Sequence, residues 1–222
     1  LEMFSRADFR HKRFMRLRRF GAKRSLAWPA EQILFGGPGR GRNPIKSALQ
    51  DDLAKARDVR IIVAYFLPTW RLRRDLSEVA RRGGRVRLIL AGKSDVLISQ
   101  LAGRSLYRRL LNEGVEIFEY QPQVLHAKLI ILDDAVYIGS SNLDHRSLQI
   151  NYELMIRIEN REIADQARAV FETNLKNSIP ITREAWRESR TFWRRLKQRW
   201  AYFLLVRVDP YIARQQWRTL PD

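Results

Sequence analysis

His126 and Lys128 stand two residues apart in an otherwise apolar segment of the chain. Side chains two residues apart on a β-strand point to the same face, so a strand over 125–132 would set the imidazole beside the ammonium group. Leu129 and Ile131 would then face the core. Because a strand is expected to break its apolar pattern mainly at functional sites, this segment predicts an active site.

A second set of polar residues follows the next predicted strand. Gly139 ends that strand in a turn that presents Ser140, Ser141 and Asn142, and Glu153 begins a later strand. Hydroxyl, amide and carboxylate groups supply both donors and acceptors of hydrogen bonds. We therefore expect this turn to contribute further site residues.

These residue types suit cleavage of a phosphodiester without a metal ion or another cofactor. The imidazole of His126 can attack phosphorus and form a phosphohistidine, which splits one difficult displacement into two. Lys128 and the amide of Asn142 can stabilise the charge that the phosphoryl group gains. A second imidazole must protonate the leaving alkoxide. The carboxylate of Glu153 can hold the other ring nitrogen of the histidine and fix its tautomer.

Strands and helices alternate along the middle of the chain. Strands are predicted over 59–66, 86–91, 115–120, 125–132, 136–139 and 153–158, and helices after Asn43 and Thr69, over 105–113, and after Asn160. The early alternation is typical of an α/β sheet covered by helices. The later strands have short connections, which favours a mixed sheet flanked by helices.

The net charge of +18 is concentrated at the two ends of the chain. Residues 47–182 carry 20 Lys and Arg against 17 Asp and Glu, whereas 1–46 carry 12 against 3 and 183–222 carry 10 against 4. Basic ends of this kind bind polyanions, either nucleic acid or an anionic membrane. The expected organisation is a basic arm with a Gly-rich linker (1–43), a catalytic half-domain (44–180) and a basic, Trp-rich amphipathic helix (181–222).

Tryptophans lie at helical spacing among arginines over 186–206. A helix with indoles on one face and basic residues around them lies in the headgroup plane of an anionic membrane. Two alternatives stay open: this stripe could pack on the domain or on a missing half of the enzyme, and the N-terminal arm could be a solvated, disordered tail. No stretch approaches the ~18–20 apolar residues that span a bilayer, so any membrane association would be peripheral.

The polar segments resemble the HxKxxxxD…GSxN motif of the phospholipase D superfamily. Similarity to bacterial cardiolipin synthases extends over roughly Pro44 to Leu175. The matching segments are Ala64–Pro68, Arg81–Leu90, Gly114–Ile117, Gly139–Asp144, Arg146–Ser147 and Asn151–Glu153. Their order resembles the second, C-terminal catalytic half of those enzymes. The resemblance implies an α/β/α sandwich and a peripheral location at the bacterial inner membrane.

The resemblance also implies roles for individual residues. His126 is expected to be the nucleophile or the general acid, with Glu153 as the partner of the histidine. Lys128 and Asn142 are expected to bind the phosphate, and Ser140 is a further phosphate donor. Two positions match the structural part of the motif, namely Asp133 and Gly139, and Asp133 is expected to form an ion pair rather than to catalyse.

The sequence departs from the family pattern in two ways. Only five residues separate Asp133 from Gly139, where the commoner pattern has six, so either Asp133 or Asp134 could take the structural role. The chain also contains one such motif, whereas family sites use two, and neither His11 nor His145 lies in an HxK context. A complete site therefore requires a homodimer or a missing N-terminal half. In a two-motif enzyme the second histidine is usually the acid.

Three functions follow from this reading. The leading one is transfer of a phosphatidyl group between phospholipids, similar to cardiolipin synthase. The first alternative is a metal-independent nuclease of the same superfamily acting as a homodimer, since basic arms also bind phosphate backbones. The second is a non-catalytic half-domain that binds anionic lipid. The absence of cysteine excludes thiol catalysis.

Overall fold

A computed structural model describes residues 24–27, 30–38, 41–189 and 191–208. The strands are β1 Arg24–Ala27, β2 Glu31–Gly36, β3 Asp58–Val63, β4 Arg85–Ala91, β5 Glu116–Tyr120, β6 Lys128–Leu132, β7 Ala135–Gly139, β8 Glu153–Glu159 and β9 Ser178–Ile181. The helices are α1 Pro44–Leu53, α2 Trp70–Arg81, α3 Leu97–Arg104, α4 Tyr107–Asn112, α5 His145–Gln149, α6 Arg161–Lys176, α7 Arg183–Glu188 and α8 Phe192–Phe203, followed by a π-helical turn over Leu204–Val208.

All the described strands belong to one mixed sheet in the order β1-β2-β8-β7-β6-β3-β4-β5-β9. β3, β4 and β5 are parallel neighbours joined through helices, and the remaining pairs are antiparallel. Helices lie on both faces: α1 to α4 and α8 contribute to one core, and α6 packs through Phe171 and two alanines into the other. The predicted α/β/α sandwich is confirmed.

Side-chain caps start the helices that the sequence predicted. The side chain of Asn43 accepts a hydrogen bond from the Lys46 amide at the start of α1, and Thr69 caps α2 in the same way. Asn160 caps α6 through the Ile163 amide at 3.1 Å. Such caps bind backbone N–H groups that the helix itself leaves unpaired. The helix predicted over 105–113 is present as α4, but α3 before it was missed.

The N-terminal boundary of the domain was predicted wrongly. Residues 24–36 form two strands of the sheet rather than part of an arm, and β2 pairs with β8 so that Gly36 lies opposite Glu153. Leu34 is buried in the core. The charge count hid this short apolar strand because it lies between arginine-rich segments. The first 23 residues of the predicted arm lie outside the described residues.

The C-terminal segment is two helices, not the single helix predicted. α7 ends at Glu188, and the side chain of Thr191 accepts a hydrogen bond from the Arg194 amide to begin α8. Trp186 is buried against Tyr107, with ring centroids 4.9 Å apart. Among the helices that the structure describes, none has the length and hydrophobicity needed to cross a bilayer. The part of the predicted helix after residue 208 lies outside the described residues.

Candidate active site

Strand β6 begins at Lys128, so His126 lies in the loop just before it rather than on the strand. The predicted strand over 125–132 was therefore too long at its start. The pair nevertheless stays together, because the Lys128 ammonium donates a hydrogen bond to the His126 carbonyl oxygen at 2.8 Å. His126 is exposed, whereas Lys128 is largely buried. The site thus contains an accessible imidazole and, two residues further along the chain, a largely buried cation.

Backbone contacts fix the loop that carries Asn142. Leu143 bridges to Phe66 beyond the end of β3, and its carbonyl oxygen accepts a hydrogen bond from the Leu67 amide at 2.9 Å. The Asn142 Oδ1 atom accepts a hydrogen bond from the Tyr65 amide at 3.4 Å. These contacts place the Asn142 side chain at the end of β3, the strand that pairs with β6.

Gly139 is required by the close approach of β7 to β8. A Cβ atom at this position would lie 2.1 Å from the Leu154 carbonyl oxygen, a distance that real side chains do not allow. The chain turns there and presents the Ser140 hydroxyl. The predicted structural role of Gly139 therefore has a steric cause in this sheet.

The carboxylate of Glu153 is oriented by hydrogen bonds from two nearby side chains. Its carboxylate accepts hydrogen bonds from the Ser140 hydroxyl and from the Asn151 amide group, the latter at 3.5 Å. The Ser140 Oγ atom in turn accepts a hydrogen bond from the Leu154 amide at 3.1 Å. The pairing predicted between Glu153 and the His126 ring is not made within the described residues of this chain, because Glu153 lies beside Ser140 at the adjoining ends of β7 and β8.

Lys128 carries the positive charge of the site among several carboxylates. Burial lowers the pKa of its ammonium group, while the negative charges of Glu153, Asp95 and Asp144 act to raise it. Burial also raises the pKa of Asp144, which caps α5 through the Ser147 amide. A cation that has lost part of its water shell binds a phosphate oxygen more strongly than a solvated one does.

The sequence reading missed two site residues, Tyr65 and Asp95. The Tyr65 hydroxyl donates a hydrogen bond to Asp95 Oδ1 at 2.7 Å. Burial, together with this carboxylate, raises the pKa of Tyr65 to about 12. The same hydrogen bond lowers the pKa of Asp95, and the nearby His126 acts in the same direction. They follow β3 and β4, whose parallel carboxyl ends meet at one edge. The predicted strand over 59–66 included Tyr65, so the sequence did not place this residue at the strand end beside Asp95.

Asp133 and Asp134 divide the structural role between them. Asp133 sits in the two-residue turn between β6 and β7 with a φ of 50°, and its carboxylate accepts a hydrogen bond from the Asp58 amide at 2.8 Å. Asp134 forms the ion pair, with Arg168 at 2.8 Å. The prediction that Asp133 forms an ion pair is therefore wrong. The tight turn also accommodates the five-residue spacing before Gly139.

The site combines a buried ammonium group and a side-chain amide with an accessible imidazole. Among the described residues there is no cluster of three or more His, Asp or Glu side chains suited to holding a metal ion. A family model described as cardiolipin synthase, PLD-like domain, matches residues 49–175. The chain belongs to this family. The matched range contains every predicted site residue from His126 to Glu153.

The chain matches only part of the length of its curated relatives. Cardiolipin synthase A of Buchnera aphidicola subsp. Schizaphis graminum is 31% identical over 175 residues, which are 78% of this chain and 36% of the relative. The chain thus spans about a third of the length of that protein.

Two solved structures share the fold. Phosphatidylserine synthase of Haemophilus influenzae Rd KW20 superposes with a TM-score of 0.62 and 15% identity, covering 82% of this chain and 47% of that chain. Nuc from Salmonella typhimurium, a phospholipase D family member, has a TM-score of 0.58 and 17% identity, covering 68% of this chain and 99% of that chain. Such identities support the shared fold alone.

Proposed function

We propose that this chain is one catalytic half of a phospholipase D-type phosphatidyltransferase. The observation that carries the proposal is the exposed side chain of His126 two residues before the buried Lys128, whose ammonium donates a hydrogen bond to the His126 carbonyl oxygen, within a domain of the cardiolipin synthase family. A phosphatidyl group in a bilayer supplies the phosphodiester, and a hydroxyl of a second lipid, or water, accepts it.

The reaction proceeds by two displacements at phosphorus. In the first, an imidazole nitrogen bonds to phosphorus while the P–O bond to the leaving alcohol breaks, and a second imidazole protonates that oxygen. In the second, the acceptor hydroxyl gives its proton to that imidazole and attacks phosphorus, and the P–N bond breaks. Lys128 and the NH₂ group of Asn142 bind the phosphoryl oxygens in both steps. Whether His126 attacks or protonates depends on its partner.

The second imidazole is proposed to come from a second PLD-type half, either another copy of this chain or a separate segment. An uncovered apolar face adjoins the site for such a partner. Ile138 of β7 and Ile156 of β8 lie opposite each other and are exposed, as is Leu154. α6 covers the same side of β3 and β6 and buries Val136, but leaves these three side chains open. Glu153, on the same strand, is proposed to hold an imidazole at this interface.

Phosphatidylglycerol vesicles provide the direct test of this function. We expect the active assembly to produce cardiolipin with release of glycerol, or phosphatidic acid where water is the acceptor, and to do so equally in excess EDTA. Thin-layer chromatography of radiolabelled lipid measures both products. Degradation of DNA without any lipid turnover would instead support the nuclease, a function with which the basic ends of the chain also agree. Vesicle binding without turnover would support a lipid-binding half-domain.

The lowered pKa of Lys128 predicts how activity falls at alkaline pH. Phosphate binding needs the charged ammonium, so activity is lost as the pH rises through its pKa. Glu153→Gln removes a charge that raises this pKa, and the alkaline limb of log(kcat/KM) should therefore move to lower pH. Lys128→Arg keeps its charge to higher pH and should move the limb upward. Profiles whose alkaline limbs coincide in all three proteins would assign the limb to another group.

A further inference from the structure

Helix α8 has two apolar faces. One face packs along α3 and the domain core, with Ala201 and Gln198 buried and Tyr202 partly buried. At 100° per residue, the opposite face carries Leu196, which is partly buried, and five aromatic and aliphatic side chains that are exposed. These are Phe192, Trp193, Trp200, Phe203 and Leu204. We call these five residues the outer aromatic face. The sequence left open whether the tryptophan-containing segment packs on the domain. Packing on the domain therefore holds for Trp186 of α7 but not for the outer aromatic face of α8.

Basic residues border the outer aromatic face. Arg195, Arg199 and Lys197 are exposed on its two edges, and Arg207 of the π-helical turn continues it. The rings pack on one another, with Trp200 and Phe203 centroids 6.1 Å apart, rather than into the domain. Exposed contiguous apolar surface of this kind marks an interaction site.

The helix on which α8 packs leads directly to the active site. α3 begins with an exposed apolar tip of Val96, Leu97 and Ile98, and Leu97 is 68% exposed. Asp95, two residues before Leu97, lies close enough to His126 and Lys128 for their charges to interact. The α3–α8 pair therefore joins the mouth of the site to the outer aromatic face.

We propose that the outer aromatic face and the α3 tip together dock on an anionic phospholipid bilayer, with the tip entering the lipid beside His126. This rests on the proposed function, since it places the site where a phosphatidyl group lies. The chemistry favours lipid as the occupant: indole rings prefer the bilayer interface, and cations around an apolar helix face bind anionic headgroups. The same docking would shield the exposed leucine of the tip from water.

Single-cysteine labelling tests the proposal, because the chain has no native cysteine. The full chain carrying Leu97→Cys or Phe203→Cys is labelled with an environment-sensitive fluorophore and mixed with phosphatidylglycerol or phosphatidylcholine vesicles. We expect a blue shift at both positions with phosphatidylglycerol, reduced at high salt, and little change with phosphatidylcholine. Val170→Cys is the matched control, since Val170 is 51% exposed on α6 at the other face of the sheet.

A vesicle-binding variant completes the test. Trp193→Ser with Trp200→Ser should weaken partition into phosphatidylglycerol vesicles about 10-fold or more, because both indoles leave the interface. The proposal is overturned if the labels stay exposed to water when the protein is bound to vesicles. It is also overturned if the labels are already shielded without vesicles, a result that would assign the surface to a protein contact. Docking is measured without turnover, so an assembly of both halves that docks but is inactive contradicts the proposed function and not this inference.

Discussion

Replacing His126 with alanine is expected to lower phosphatidylglycerol turnover by at least about 10³-fold, the scale on which general acids and nucleophiles contribute. Stability should change little, within about 0.5 kcal/mol, because the ring is exposed and makes no hydrogen bond among the described residues. Alanine also keeps the carbonyl oxygen that accepts from Lys128. Turnover in the active assembly, with thermal unfolding as the check on folding, measures both quantities.

The same variant decides which step His126 performs. If the second half is a separate segment, acid-labile phosphate trapped on histidine should disappear in His126→Ala when His126 is the nucleophile, and should still form on that segment when His126 is the acid. If the second half is another copy of this chain, His126 supplies both imidazoles and the trapped phosphate should disappear. Val124→Ala is the control, since Val124 is an exposed residue in the same loop and should retain full turnover. Activity of His126→Ala above about a tenth of wild type would contradict a catalytic imidazole at this position.

The core of the site could be predicted because its chemistry is concentrated in short segments. The His-x-Lys spacing, the turn after Gly139 and the carboxylate at Glu153 are each readable locally, and the sheet brings their strands together as β6, β7 and β8. Tyr65 and Asp95 could not be paired in this way. Thirty residues separate them, and only the parallel packing of β3 and β4 brings their side chains together.

The predictions about the fold were wrong where contacts between distant segments, rather than the local sequence pattern, decide the structure. What makes β2 a strand is its pairing with β1 on one side and β8 on the other. The partner of Asp133 was mistaken for a similar reason: the sequence shows a carboxylate, but the turn geometry decides that it meets the backbone amide of Asp58 while Asp134 reaches Arg168. Sequence spacing predicts the positions of such groups better than their partners.

Placing a charge on the uncovered sheet face should separate the two halves of the site. Ile156→Asp would bury an unpaired carboxylate at the proposed interface, which costs far more than the same change in water. We expect turnover at fixed concentration to fall by about 100-fold or more, with partial recovery as the concentration of the second half rises. Within one chain the cost should stay at about 1 kcal/mol, since Ile156 is 39% exposed and the change affects its cross-strand contacts with Ile138 and Ile33.

Ile179→Asp provides the matched control at the opposite edge of the sheet. Ile179 lies on β9, is 54% exposed and is separated from β8 by five strands of the same sheet. Sedimentation velocity and turnover should therefore remain those of wild type. If Ile156→Asp and Ile179→Asp behave alike in both measurements, this face does not receive the second half, and the second imidazole must reach Lys128 and Asn142 from the open side of the His126 loop instead.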